Sequence, residues 1–344
     1  NEKIETLQDD IETRDAAIRR QQSLVSKMMK LEGQLWERRA NAGTPRFRPL
    51  TDRQTAVVSV LNLKGGVGKT TVTAHLGAAF AARGYRVLLV DLDLQGTLSS
   101  FFIPHSDIVA KYRDEKLLQH FLGQATHRRK MNLLEYVEPI LDDAECGIVP
   151  TSDKLAYAEM NLTMSWLLKL GKKDTRFLLR RALHQKRITN RYDLVLMDCP
   201  PLINTCCVNA LAASDYVLIP VNPSKKVTER VPQLLRHVKK LGEHINPHLQ
   251  VAGVVMNRTH SADKLTVQEG EMWGQLLVQG QDQLGIPLHG FKANIPQTKE
   301  IRVSEAETFQ PPEKGSELHK AFGRLAAELE ERLPRECRRV EAAR

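Results

Sequence analysis

Asn62-Leu63-Lys64-Gly65-Gly66-Val67-Gly68-Lys69-Thr70-Thr71 lies between the β-branched run Val57-Val58-Ser59-Val60 and the apolar segment Ala74 to Phe80. The order is buried strand, glycine loop, helix, which is the setting a phosphate-binding loop requires. Glycines at 65, 66 and 68 let the backbone approach a polyanion closely, and the helix that follows presents free N–H groups at its positive dipole end. Lys69 adds a mobile charge for the β- and γ-phosphates, and the Thr70 hydroxyl is placed to ligate Mg²⁺. The common pattern G-x-x-x-x-G-K-[ST] is not met in its plain form, because an additional lysine, Lys64, has entered the loop.

Lys64 to Thr71 resembles the deviant phosphate loop of the ParA/MinD ATPases, and five further segments carry the likeness. Val87-Leu88-Leu89-Val90 reads as a second buried strand that ends in Asp91-Leu92-Asp93-Leu94-Gln95-Gly96, similar to the family's D-x-D-P-Q-G with Leu94 in place of proline. Tyr192 to Pro201 reads as an apolar strand that delivers Asp198 to its carboxyl end, like a Walker B aspartate. Asn209 to Val221 continues the likeness as helix, turn and strand, and Gly253 to Arg258 ends another strand. Ile295 to Ala306 is similar to the family's I-P-R-x-x-x-[LV]-S-E-A segment, with Gln297 where arginine is usual.

This resemblance covers roughly residues 56–330. It implies ATP and Mg²⁺ as cofactors, held by Lys64, Gly65, Gly66, Val67, Gly68, Lys69, Thr70 and Thr71, with Thr70, Asp93 and Asp198 around the metal. Asp93 is carried over as the residue that positions the attacking water, and Lys64 as the lysine that crosses to the partner's phosphates in an ATP-dependent homodimer. Asn257 and the backbone near Pro296 would border the adenine. The family further implies nonspecific DNA binding and a ParB-like or other activating protein partner. A reading of a different class also stands: an ATP-driven assembly or localisation factor that acts on a protein complex without an essential DNA step. The related bacterial tyrosine kinases need a tyrosine-rich tail, and the last tyrosine here is Tyr216.

Composition fits these readings. The 344 residues and 42% hydrophobic content suit one large α/β domain plus an appendage. Strands alternating with helices predict a doubly wound, mostly parallel sheet over residues 55–333, with the nucleotide at the carboxyl ends of its strands. The five cysteines show no C-x-x-C spacing and read as reduced core thiols. No apolar run approaches a membrane span and the first residues lack a signal-peptide core, so a cytoplasmic protein without membrane contact is expected. Net charge is +9, and residues 1–50 hold ten Lys or Arg against eight Asp or Glu, so the excess lies mainly on the ATPase body. Such a surface attracts polyanions.

Outside the likeness, Ile4, Ile11, Ile18 and Val25 share one heptad position, with Leu7, Met28 and Leu35 at another. Residues 1–40 are therefore expected to form an amphipathic helix, either a coiled coil or a helix folded back on its own domain. Gly43, Pro45 and Pro49 predict a linker over 41–54. The segment Lys154 to Arg191 carries nine Lys or Arg from Lys169 onward, among them Lys173, Arg176, Arg180 and Arg181, and reads as a basic helical face that is either solvated or in contact with phosphates. With Gln297 in place of arginine, a DNA contact near Pro296 would rest on Lys299 or Arg302. Residues 334–344 form a basic tail, and Phe101 to Ala144 shows no motif.

Overall fold

The structure, a computed structural model, describes residues 34–40, 43–127, 131–141, 143–168, 173–224, 227–298 and 309–337. The N-terminal heptads, Lys169, Lys172, Lys225, Lys226, Lys299, Arg302 and the tail beyond Cys337 lie outside the described residues.

Among the described residues, eight strands form one sheet. In chain order they are β1 (Ala56–Val60), β2 (Val87–Asp91), β3 (Glu138–Ile140), β4 (Asp143–Val149), β5 (Leu194–Asp198), β6 (Tyr216–Val221), β7 (Gln250–Thr259) and β8 (Ile295–Pro296). Their order across the sheet is β3-β4-β2-β5-β1-β6-β7-β8, parallel throughout except for the β3–β4 pair. The connecting helices are α1 (Lys69–Ala82), α2 (Thr97–Phe102), α3 (His105–Arg113), α4 (Leu118–Ala125), α5 (Leu155–Leu168), α6 (Leu178–Leu183), α7 (Lys186–Thr189), α8 (Thr205–Ala213), α9 (Val227–Ile245), α10 (Val267–Leu284) and α11 (Glu317–Arg332).

Side chains alternate between two cores, as the period of a strand requires. Val57, Leu88, Val90, Val195 and Met197 face α5, α6, α8 and α9. Val58, Val60, Leu89, Leu194 and Leu196 face α1 and α11. Each fully buried Val or Leu contributes about 1.5–3 kcal/mol, and close packing adds to this where Gly77 lets α1 settle on β2. A Cβ there would meet Leu89 Cδ2 at 2.9 Å. The motifless stretch from Phe101 folds into α2, α3 and α4 and the antiparallel edge strand β3.

The expected linker is packed against the body. Residues 34–37 form a short 3-10 turn rather than a continued helix, and Trp36 and Phe47 are buried. Arg53, also buried, reaches Asp215 at 2.6 Å, at the foot of β6. Residues 43–49 run as turn and extended backbone, and there Arg48 meets His184 just past α6, while Phe47 lies against His184, His248 and Arg180.

Candidate site at the phosphate loop

The carboxyl ends of β1, β2 and β5 meet at one point because their registers are matched. Val60 pairs with Asp198, and Asp198 with Asp91. The loop after β1 is fixed on both flanks. Asn62 donates its amide to Pro220 O at 2.8 Å and accepts Lys64 N at 2.9 Å, and Asn257 donates to Val67 O at 2.7 Å. Gly65 and Gly66 stay exposed at its crest. Gly68 turns with φ +87° into the start of α1, and a Cβ at that position would meet Asn257 Nδ2 at 2.2 Å, so glycine is required on both counts.

Lys69 opens α1 and is 6% exposed; Thr70 follows, half-buried, and donates to Asp198 Oδ2 at 2.7 Å. Thr71 is half-buried one residue further on. The other oxygen of Asp198, Oδ1, is buried with no hydrogen-bond partner. Burial first, and Asp91 alongside second, push the Asp198 carboxyl well above the usual carboxylate range. Asp91 is raised to about 7, chiefly by burial. An unpartnered hard oxygen beside a threonine hydroxyl fits Mg²⁺, which takes few protein ligands and completes its shell with phosphate and water. Thr70 and Asp198 are the residues that would hold it, and the cation would supply charge neutralisation at the transferred phosphate.

Asp91 received no role from the sequence, although it stands in the quoted segment. It accepts Ser99 N and Ser99 Oγ at 2.8 and 2.7 Å and Asp93 N at 3.1 Å. It therefore shapes the turn that carries Asp93, whose own carboxylate accepts Gln95 N at 3.0 Å. The signal was its place as the last residue of an apolar strand, in register with Asp198.

Lys64 points away from its own phosphate cradle. Its Nζ donates to Ser224 Oγ at 2.9 Å and Asn222 Oδ1 at 3.2 Å, just past β6. Asn257 and Pro296 come together at the β7–β8 edge, where Asn257 pairs with Ile295 and Thr259 with Pro296. Both polar ends of Asn257 are engaged, one by Val67 O and the other by Arg258 N at 3.0 Å, so its contacts here are with the phosphate loop. The basic run is not one solvated face. Arg176 and Arg180 are buried, and their guanidiniums meet carbonyls of residues 36–45, Ala212 and Ile245. Lys186 and Arg187 remain exposed.

Fold and loop together define a phosphate-loop nucleotide-binding protein. A family model described as an AAA domain matches residues 55–251. The chromosome partitioning protein ParA of Caulobacter vibrioides is 32% identical over 257 residues, spanning 74% of this chain and 85% of that protein. The sporulation initiation inhibitor protein Soj of Bacillus subtilis is 30% identical over 273 residues, spanning 76% and 94%. Among solved structures, a cobyrinic acid a,c-diamide synthase of Mycobacterium smegmatis with bound ADP and magnesium has a TM-score of 0.59 at 26% identity, covering 79% of this chain and 93% of that one. The chain belongs to the ParA/MinD superfamily. Among the described residues, no helix is long and apolar enough to cross a membrane.

Proposed function

We propose that the protein is an ATP-driven partition or positioning switch that binds ATP with Mg²⁺, dimerises, holds DNA nonspecifically and releases it on hydrolysis stimulated by a partner. The observation that carries the reading is the Thr70–Asp198 pair, with Asp198 Oδ1 unpartnered, at the head of a loop whose first lysine is turned aside. Lys69 neutralises charge on the β- and γ-phosphates, and Asp93 orients the attacking water. Lys64, aimed past β6, suits a group given in trans to a second subunit's phosphates. Relatives named for chromosome partitioning support the cargo-moving role.

Retention of random-sequence duplex DNA, measured with ATP, ADP and no nucleotide, tests the switch. Retention should require ATP and Mg²⁺ and fall steeply with salt, because each neutralised phosphate releases counterions. Retention that ignores nucleotide or salt, or is absent at low salt, returns the protein to the assembly-factor reading.

A further inference from the structure

The loop that follows Asp198 is gripped from outside the nucleotide-binding machinery. Trp36 is 7% exposed and donates its indole N–H to Ile203 O at 3.0 Å, five residues beyond Asp198. Its ring stacks on Trp166 of α5, with centroids 4.9 Å apart and planes 23° from parallel. Arg176 lies over the far ring at 4.8 Å, is paired with Asp174 at 2.6 Å, and reaches the backbone carbonyls of Trp36, Arg38 and Arg39. A second hold comes from the same helix, where Glu159 accepts Thr205 N at 3.0 Å. Between the two, Asn204 caps α8 by accepting Cys207 N at 2.9 Å.

One hydrogen bond from a residue 167 positions away would be unremarked on an idle loop. This loop is not idle, because it leaves β5 directly behind the carboxylate that would hold the metal. Indole is also the one apolar-bodied side chain that packs by stacking while donating from a fixed edge. We infer that Trp36 is a positioning residue for hydrolysis: it fixes the Ile203 end of the loop behind Asp198, so that residues 34–40 brace the site and set turnover rather than nucleotide affinity. The inference rests on the ATPase reading for its rate arm only.

The full chain carries both tests. Trp36→Phe keeps a ring for Trp166 and removes the donor; kcat should fall about fivefold, the rate equivalent of one neutral hydrogen bond, with KM for ATP within about twofold. Trp273→Phe, on the distant α10, should leave both constants at the wild-type values. In the second test, Trp166→Phe with Trp273→Phe leaves Trp36 the one indole of the three in the chain. Its emission should change when Mg-ATP is added and should not change with ATP in EDTA. Wild-type kcat in folded Trp36→Phe, KM moving as far as kcat, or Trp36 emission indifferent to Mg-ATP overturns the inference. A wild-type protein that fails to hydrolyse ATP instead overturns the ATPase reading, and the emission measurement, which leaves Trp36 in place, then decides the positioning role by itself.

Discussion

At the phosphate loop Asp91 and Asp198 lie buried side by side with one carboxylate oxygen unpartnered, whereas beneath the N-terminal arm (residues 34–40 and 43–54) Arg176 and Arg180 are also buried and are met by carbonyls. Both regions place ionisable groups where water cannot solvate them, which is unfavourable unless partners compensate. Carbonyls of the arm, together with those of Ala212 and Ile245, supply those partners. The loop leaves one missing, and the ligand that would complete it is a cation with polyphosphate. For these four side chains, the unpartnered oxygen of Asp198 is what distinguishes the binding site from the structural joint at Arg176 and Arg180.

The sharpest break between the two is expected from removing one cation in each. Lys69→Ala should lower ATP turnover at least about 10²-fold, because the charge acts on the transition state, while the thermal midpoint of the nucleotide-free protein stays at the wild-type value. A midpoint that falls together with activity would make Lys69 a structural cation like those of the arm. Smaller in effect is Arg176→Leu, which strands Asp174 and the carbonyls of Trp36, Arg38 and Arg39; it should lose about 3 kcal/mol or more of unfolding free energy, with ATP affinity of the folded protein retained. A loss under about 1 kcal/mol, the worth of a solvated ion pair, would return Arg176 to the surface role that its sequence context indicates.

The same difference explains what could be read from residues alone. The phosphate loop is local: glycines, lysines and the flanking strand and helix are contiguous, so spacing carries the chemistry. Asp198 and the parallel sheet followed from apolar runs ending in carboxylates. The arm is held by contacts across more than a hundred positions, such as Trp36 with Ile203 and Arg53 with Asp215. Nothing near Arg176 or Arg180 announces burial, and runs of basic residues on short helices ordinarily face water. Pro45 and Pro49 lie in extended backbone, and nothing in their spacing shows that Phe47 between them is buried, because extended backbone packs as readily as it spans. Asp91 falls between these cases, since its residue type was visible and its neighbour Asp198 became so only through strand register.

The smallest expected effect contrasts the two regions by pH. His184 sits beneath the arm, accepting Arg48 N at 3.2 Å on Nδ1 with Nε2 against Ala213 O at 2.9 Å; burial first, then Arg53, lowers it to about 3. Unfolded histidine titrates near about 6.5, so this group contributes stability that is present above that value and lost as pH falls toward 3. Asp91 runs the other way. Raised to about 7 by burial, it favours the folded state while protonated, and that contribution declines as pH rises from the unfolded value, near about 3.9, toward 7. Each slope is at most about 1.4 kcal/mol per pH unit, and the two oppose each other between pH 4 and 6, so the wild-type midpoint alone would hide both. Substitution separates them. Relative to wild type, and without nucleotide or Mg²⁺, Asp91→Asn should gain thermal midpoint progressively as pH is raised from 4 to 8, while His184→Gln should gain as pH is lowered from 7 to 4. Saturating Mg-ATP should flatten the first trend, because a cation at the neighbouring Asp198 favours ionised carboxylates, and should leave the second untouched. If Mg-ATP alters the His184→Gln trend as well, the site reaches the arm at His184 and not through Trp36 alone. If Asp91→Asn tracks wild type at every pH, the carboxyl is already satisfied by Ser99 and has no part in the site at Asp198.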